Sequence, residues 1–323
     1  MTTDTKARIL GYIKTNGQAR VRDLVDHLGI GNVAVHRQLK TLIESGQLIK
    51  AGTAPKVYYL LANKPQKDLE QNSNLNNFAY VDPVGNFLVG LPAFKIWAKN
   101  VGKESQIASL LPRYISDRKI INNLFTKEGW IEATDNLSRT FGSDMQLDGV
   151  FYLDFYSLPT FGKTRLGHMM LYAKQSENRD LISKIAVEAK EKIKNLNSQL
   201  KINAVGFIPH SILRKVQFLK EFSKTLNLSL PEIELNKAYS GDIRVAQKTL
   251  GRLEERISNA RGTIFINKNS PKYKNVLLID DATGSGATLN ETARKLKEAG
   301  LAKKVYGFVV VGSIKGFEVI REV

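Results

Sequence analysis

The chain has no cysteine among its 323 residues. No disulfide framework, thiolate-bound zinc, iron–sulfur cluster or cysteine nucleophile can therefore be built from it, and a reducing, cytoplasmic setting fits that absence. Long hydrophobic runs are missing too. No stretch approaches the roughly eighteen apolar residues that a membrane span requires, and the opening MTTDTKARIL lacks the basic-then-apolar pattern of an export signal. Acidic residues are scarce, with 31 Asp and Glu against 48 Lys and Arg, a net charge of +17. The excess predicts attraction to polyanions without distinguishing nucleic acid from a phosphorylated metabolite. Histidine is scarce as well, at four. His27 sits near the start and His168 has no carboxylate or histidine partner at ligand spacing, so no metal-binding cluster is legible. What is present is a 42% hydrophobic content, enough to bury real cores in two or three domains.

The positive charge is unevenly spread. Residues 1–65 hold 10 Lys and Arg against 4 Asp and Glu, about twice the net charge per residue of the remainder. Behind them, Asn63 to Asn77 is rich in Asn and Gln and poor in aliphatics, which predicts a hydrophilic linker over 66–78. Within 1–65 three short helical patterns succeed one another. Ile9, Leu10 and Ile13 mark the first, which Gly17 ends. Val21, Leu24, Val25 and Leu28 have the i, i+3, i+4, i+7 spacing of one buried face, with Gly29 placed as a C-cap.

The third pattern carries two faces. From Asn32, a good N-cap, Val35, Leu39, Leu42 and Ile43 form a buried stripe. Val33, His36, Arg37 and Lys40 fall together on another face. Gly46 closes the helix, and Gln47–Lys50 and Lys56–Leu61 predict two strands joined by the turn AGTAP. In order and size this is a winged helix-turn-helix, and NVAVHRQLKTLIESGQLIKAGTAPKVYYL resembles bacterial winged-helix transcription regulators. The resemblance implies a third helix in the major groove of double-stranded DNA and a wing on phosphate. Asn32 and His36, on the same face as Val33, are then within reach of base edges, and Arg37, Lys40, Lys50 and Lys56 supply charge to the backbone, although the sequence does not fix which contact is which. One such module covers one half-site, which predicts a homodimer. An exposed basic face is also what a solvated surface or a protein-interaction module presents.

The sharpest pattern is NVLLIDDATGSGATL, residues 275–289, followed by the helical NETARKLKEAG. Val276 to Ile279 read as a buried parallel strand. Two carboxylates follow, and then a small, glycine-rich turn into a helix, whose terminus presents backbone N–H groups to a phosphate. Acids beside a phosphate site repel the ligand unless they bind something else, such as sugar hydroxyls or a metal that travels with the phosphate. Asp280 and Asp281 come ahead of only two glycines, which excludes a dinucleotide fingerprint. SLPTFGKT, residues 157–164, misses the first glycine of a P-loop and contains Pro159.

The strand, acid pair and loop resemble the signature of type I phosphoribosyltransferases. The resemblance implies that Asp280 and Asp281 hold the ribose hydroxyls of 5-phosphoribosyl diphosphate (PRPP). It also implies that Ala282, Thr283, Gly284, Ser285, Gly286, Ala287 and Thr288 hold its 5′-phosphate, with Mg²⁺ on the diphosphate. Residues 246–262 with TIFIN resemble the competence protein F-like group through Gln247, Arg256, Asn259 and Gly262, although an ordinary amphipathic helix would show the same pattern. AVGFIP, 204–209, predicts another strand, and 211–226 a helix bearing Arg214, Lys215 and Lys220. Purine-salvage members place an acid where this chain has Gly284, and His210-Ser211 stands where a diphosphate turn is expected. Both departures set this chain apart from those enzymes, and no catalytic residue is legible in the sequence.

The expected fold class is α/β, an N-terminal winged helix-turn-helix followed by a phosphoribosyltransferase-type parallel-sheet domain. The expected boundaries are 1–65 for the first domain, 66–78 for the linker, 79–149 for an intermediate subdomain with Trp97 and Trp130 in its core, and 150–323 for the sheet domain. The fusion implies a transcription regulator that takes PRPP or a related nucleotide as effector. The alternatives are a working phosphoribosyltransferase with an appended winged helix and a DNA-uptake or repair accessory factor.

Overall fold

The computed structural model describes residues 5–45, 47–52, 55–62, 75–245 and 247–315. Gly46, the middle of the turn AGTAP and the linker up to residue 74 lie outside them. The chain divides into two compact units, Met1–Glu70 and Gln71–Val323.

In the first unit α1 (Thr5–Asn16), α2 (Val21–Leu28) and α3 (Asn32–Glu44) precede an antiparallel pair, β1 (Leu48–Ala51) and β2 (Tyr58–Leu61). Ile9, Ile13, Leu24, Leu28, Val35, Leu39, Leu42, Leu48 and Tyr59 share one small core. Burying each of the leucines is worth roughly 1.5–3 kcal/mol against leaving it in water. Ala19 and Tyr59 exchange both backbone hydrogen bonds, at 2.9 and 2.8 Å, which ties the α1–α2 connection to the hairpin. Gly29 ends α2 at φ 68°, a left-handed cap that glycine adopts without strain. Two details differ from expectation. Gly31, not Asn32, holds the cap position of α3, because Asn32 is already the first helical residue. Ile43 lies on the edge of the stripe and is exposed, since three residues of that face suffice to fill so small a core.

In the second unit a short 3₁₀ turn, Leu75–Asn77, precedes a hairpin, β3 (Ala79–Val81) and β4 (Phe87–Val89), whose turn is held by Asp82 Oδ1 accepting from the N–H groups of Val84 and Asn86. Next come α4 (Gly90–Asn100), α5 (Ile107–Asn122), β5 (Ile131–Glu132), α6 (Thr134–Phe141) and β6 (Gly149–Phe155). A tight hairpin of β7 (Ser157–Leu158) and β8 (Gly162–Lys163) leads into α7 (Arg165–Gln175) and α8 (Arg179–Leu200). The P-loop near-miss is thus a hairpin, and its Thr164 caps α7 by accepting from the Gly167 N–H at 2.9 Å. Beyond it lie β9 (Ala204–Phe207), α9 (Phe218–Leu226), β10 (Leu235–Lys237), α10 (Leu253–Thr263) and β11 (Ile264–Ile266). The last elements are β12 (Tyr273–Thr283), α11 (Ala287–Glu298) and β13 (Ala302–Gly312).

A five-stranded sheet runs in the order β5-β6-β13-β12-β9, parallel except for the short edge strand β5. Alternate side chains of its strands serve two cores, as a parallel sheet covered on both faces requires. Leu277, Ile279, Phe308 and Val310 pack with Met170 of α7, Ile185 of α8 and Phe222 of α9. Val276, Leu278, Val305 and Val309 pack on the other face with Tyr114 of α5, Leu137 of α6 and Leu289 of α11. Phe94, Tyr114, Phe141, Val150 and Tyr152 belong to that same core. Residues 79–149 therefore share their core with the sheet rather than forming the intermediate subdomain expected of them. Trp130 is buried, and Trp97 packs against Phe78, Phe94 and Phe161.

Helix α9 starts seven residues later than the sequence pattern suggests, because 211–217 is held as a loop. Arg214 Nη1 donates to the Lys174 carbonyl, and Glu177 accepts from the Val216 N–H at 2.9 Å. Likewise α10 begins at Leu253, after a separate turn over Gln247–Thr249. Among the described residues no helix is long and apolar enough to cross a membrane.

Candidate functional site

β9 continues toward α9 on one face of the sheet and β12 toward α11 on the other. Adjacent parallel strands whose helices leave on opposite faces open a crevice at their carboxyl ends, which is where open α/β sheets bind ligands. A cavity of about 350 Å³ lies there. Its wall is made by the loop from Ile208 to Gln217, Lys174 of α7, Lys237 of β10, Gln247, the end of β12 at Asp280–Ala282, and Thr288 of α11.

The acid pair stands inside this wall, and each carboxylate has a lysine. Lys174 Nζ is 2.7 Å from Asp281 Oδ2. Lys237 faces Asp280 and donates to Ser211 Oγ at 2.8 Å. Burial, then the neighbouring Asp281 carboxylate, push the Asp280 acid up to about 7, against a backbone N–H of Asp281 that donates to it at 2.8 Å. Burial lowers the Lys237 pKa, and Asp280 partly restores it. His210 also lines the cavity, its pKa lowered by burial and by Arg244 and Lys237. With Arg214 and Lys220, the wall carries four cations against two carboxylates. That balance suits a ligand with both negative charge and hydroxyls.

Of the residues expected to hold PRPP, Asp280, Asp281, Ala282 and Thr288 line the cavity, and Thr283, Gly284, Ser285, Gly286 and Ala287 form the connection between them. Gly286 caps α11 in the left-handed region at φ 80°, and a Cβ added there would stand 2.5 Å from Leu137 Cδ2. The first-turn N–H groups of α11 have no intrahelical acceptor, and Ser285 Oγ takes only that of Ala287, at 3.4 Å. Buried Glu291 is held by Arg261 at 3.0 Å and Arg294 at 2.7 Å, which locks α10 to α11.

Gln247, Arg256 and Asn259 also come together. The Gln247 amide donates to the Arg256 carbonyl at 3.0 Å and to Asn259 Oδ1 at 3.1 Å. Nothing in the spacing of Lys174 and Lys237 distinguishes them from the other lysines of a basic chain. His168 is a separate matter, with Nδ1 unpartnered and burial holding its pKa down at about 4.

In the first unit Asn32, Val33, His36, Arg37, Lys40, Lys50 and Lys56 are all exposed. Val33 is 84% accessible, unusual for an aliphatic side chain with a core next to it. Lys40 and Glu44 pair loosely at 3.9 Å in solvent.

No protein-family model matches the chain, and no curated protein does. Among solved structures, an adenine phosphoribosyltransferase is similar at a TM-score of 0.29 and 18% identity, over 45% of this chain and 78% of that one. An adenine phosphoribosyltransferase from Trypanosoma brucei, in complex with AMP, pyrophosphate and ribose-5-phosphate, is similar at 0.29 and 17%, over 56% and 80%. A hypoxanthine phosphoribosyltransferase from Staphylococcus aureus is similar at 0.26 and 16%, over 42% and 65%.

Proposed function

We propose that the chain is a DNA-binding transcription regulator whose second unit takes PRPP or a related nucleotide as effector. The observation that carries the reading is the cavity at the end of β12, where two carboxylates paired with lysines adjoin a glycine-capped helix terminus. A phosphorylated sugar matches each part. Its hydroxyls donate to Asp280 and Asp281, its 5′-phosphate accepts from the α11 terminus, and Lys174, Arg214, Lys220 and Lys237 offset the remaining charge.

The described residues hold no group of three His, Asp or Glu side chains suited to a metal ion. Mg²⁺ would accordingly arrive on the ligand's diphosphate, with Asp280 and Asp281 as the nearby carboxylates, and would neutralise that diphosphate when bound. Lys174 must give up part of its contact with Asp281 as a ribose diol takes it. An effector response also requires that the ligand bind one conformational state of the chain more tightly than another, and the Lys174–Asp281 contact is where two such states would differ.

On the first unit, the exposed face of α3 would enter the major groove and Lys50 and Lys56 would track phosphate, with two copies of the chain covering two half-sites. The test is fluorescence anisotropy with a duplex that the protein selects from a random-sequence pool, across a PRPP titration in Mg²⁺. DNA affinity should change as PRPP saturates, and Asp280→Ala should remove the response while binding the duplex as before. An affinity that never moves removes the effector claim, and sustained diphosphate release from PRPP with any acceptor would put an enzyme in its place. Arg37→Ala should weaken DNA binding on every sequence and lower the slope of log K against log salt by about one.

A further inference from the structure

The end of the sheet opposite the cavity has a different construction. There β12 and β13 outrun their neighbours, because β9 is in register only from Val276 and β6 only from Tyr306, which leaves 273–274 and 302–304 as a two-stranded tip. Tyr273 stands opposite Ala302 and Asn275 opposite Lys304, and this register sets Lys274 directly beside Lys303. Lys272 precedes the tip. Lys201, the cap residue of α8, adjoins it through a carbonyl that accepts from Asn275 Nδ2 at 3.2 Å. All five lysines are exposed. Among the described residues none of them forms an ion pair. Asp148, beside Val305, is already committed, accepting from the Val305 N–H at 2.8 Å and pairing with Lys297 at 2.8 Å.

Neighbouring strands lie about 4.8 Å apart, and like charges set opposite each other repel. Nothing in the fold relieves that repulsion, whereas a row of phosphates would. Six residues of extended strand, about 20 Å, separate Lys274 from Asp280, and no tip residue lines the cavity. The tip offers charge alone. Tyr273 is half-buried and Leu301 and Ala302 are buried, which leaves no exposed aromatic ring to stack on a single-stranded base and no exposed aliphatic to enter a bilayer. Ammonium groups on flexible stems, with no base-reading side chain beside them, suit the regular phosphates of a duplex.

We propose that this tip is a nucleic-acid contact of the second unit, binding the backbone of double-stranded DNA without regard to sequence. It rests neither on the reading of the cavity nor on that of α3. The test is fluorescence anisotropy of the full chain on a duplex of arbitrary sequence, across a salt titration. Replacing Lys274, Lys303 and Lys304 together by Gln should lower the slope of log K against log salt by about two to three, since each lysine lost releases one counterion fewer. The same drop should appear in a chain that also carries Arg37→Ala and Lys40→Ala, which separates the tip from the first unit. An unchanged slope makes these lysines solvated charges and overturns the proposal, as does a parent chain that binds no duplex at low salt. Lys274→Glu sets an acid beside Lys303 and should melt no lower than the parent, while its duplex affinity falls about tenfold at low salt. A melting temperature that falls with the affinity would assign the lysines to holding the strands, and the proposal fails. Vesicles of phosphatidylserine in phosphatidylcholine are the counter-probe. If the triple variant loses more affinity for them than for the duplex, the tip faces a membrane and the DNA assignment is overturned. If Arg37→Ala and Lys40→Ala change nothing while the triple variant does, the reading of α3 falls and this one stands.

Discussion

In the first unit Arg37, Lys40, Lys50 and Lys56 stand in solvent around a small core, whereas in the second the telling charges, Asp280, Asp281, Lys174, Lys237, Arg118 and Asp154, sit in a cavity wall or inside the protein. Exposed charge costs the fold almost nothing, so its position is free to be set by a partner or by nothing in particular. Recessed charge must be paired or matched by a ligand, so its position carries more information about chemistry. That is why the second unit supports the sharper proposal, although the first is the more basic per residue.

The largest effect that would test this contrast lies at Arg118, on α5, which grips Asp154 of β6 through two bonds of 3.2 Å with both side chains almost wholly buried. Removing one partner strands the other charge. Arg118→Ala should destabilise the second unit by about 3–5 kcal/mol, read from denaturant unfolding followed by the fluorescence of Trp97 and Trp130. A loss below about 1 kcal/mol would mean that buried and exposed charge are treated alike in this chain.

Next in size is Gly286→Ala. Its φ of 80° costs an L-residue roughly 1–2 kcal/mol, and Leu137 must also retreat from the new methyl group. A total cost of about 2 kcal/mol is expected, with weaker ribose 5-phosphate binding because the α11 terminus moves. Unchanged stability would show that the glycine turn is not held as described.

Smaller again is the effect of Asp280→Asn, and it depends on pH. The folded-state pKa of Asp280 lies at about 7, above the ordinary 3.8. Between those values the folded protein holds a proton that the unfolded chain has released. Stability from this group is complete below about pH 4, declines as pH rises toward 7, and is flat beyond. Asp280→Asn should therefore melt above the parent at pH 8, by roughly 3 °C or more, and show no such gain at pH 4. An equal difference at both values would remove the strained carboxylate from the site.

How far the sequence discloses these features follows from the same physics. Val276–Ile279 with Asp280 and Asp281 was legible because four consecutive apolar residues ending in two acids is a local pattern. The three helices and hairpin of the first unit were legible because each turn ends in glycine or polar residues. β13 carried the apolar run FVVV but no chemistry, so the central strand of the sheet escaped notice. Lys174 and Lys237 escaped for another reason, since only the fold brings α7 and β10 to the end of β12. The loop 211–217 has helical periodicity and yet is pinned by Arg214 and Glu177, tertiary contacts that periodicity does not encode. The role of 79–149 was hidden in the same way, because its apolar residues make sense only against the face of the sheet.

The smallest predicted effect is the one that most directly separates fold from function. Lys40 and Glu44 are an i, i+4 pair with side chains 78% and 63% exposed, and their 3.9 Å contact is worth at most about 0.5 kcal/mol. Lys40→Ala also gains helix propensity, which offsets the lost pair. Hydrogen exchange of the α3 amides should consequently change by no more than about 0.5 kcal/mol. DNA affinity should fall at low salt and converge on the parent's as salt rises, because one released counterion is lost with the lysine. A side chain that leaves the helix untouched but changes the salt dependence contacts a polyanion. One that changes both is holding α3 in place, and one that changes neither is a solvated charge, which would leave Arg37, Lys50 and Lys56 to carry the case for DNA.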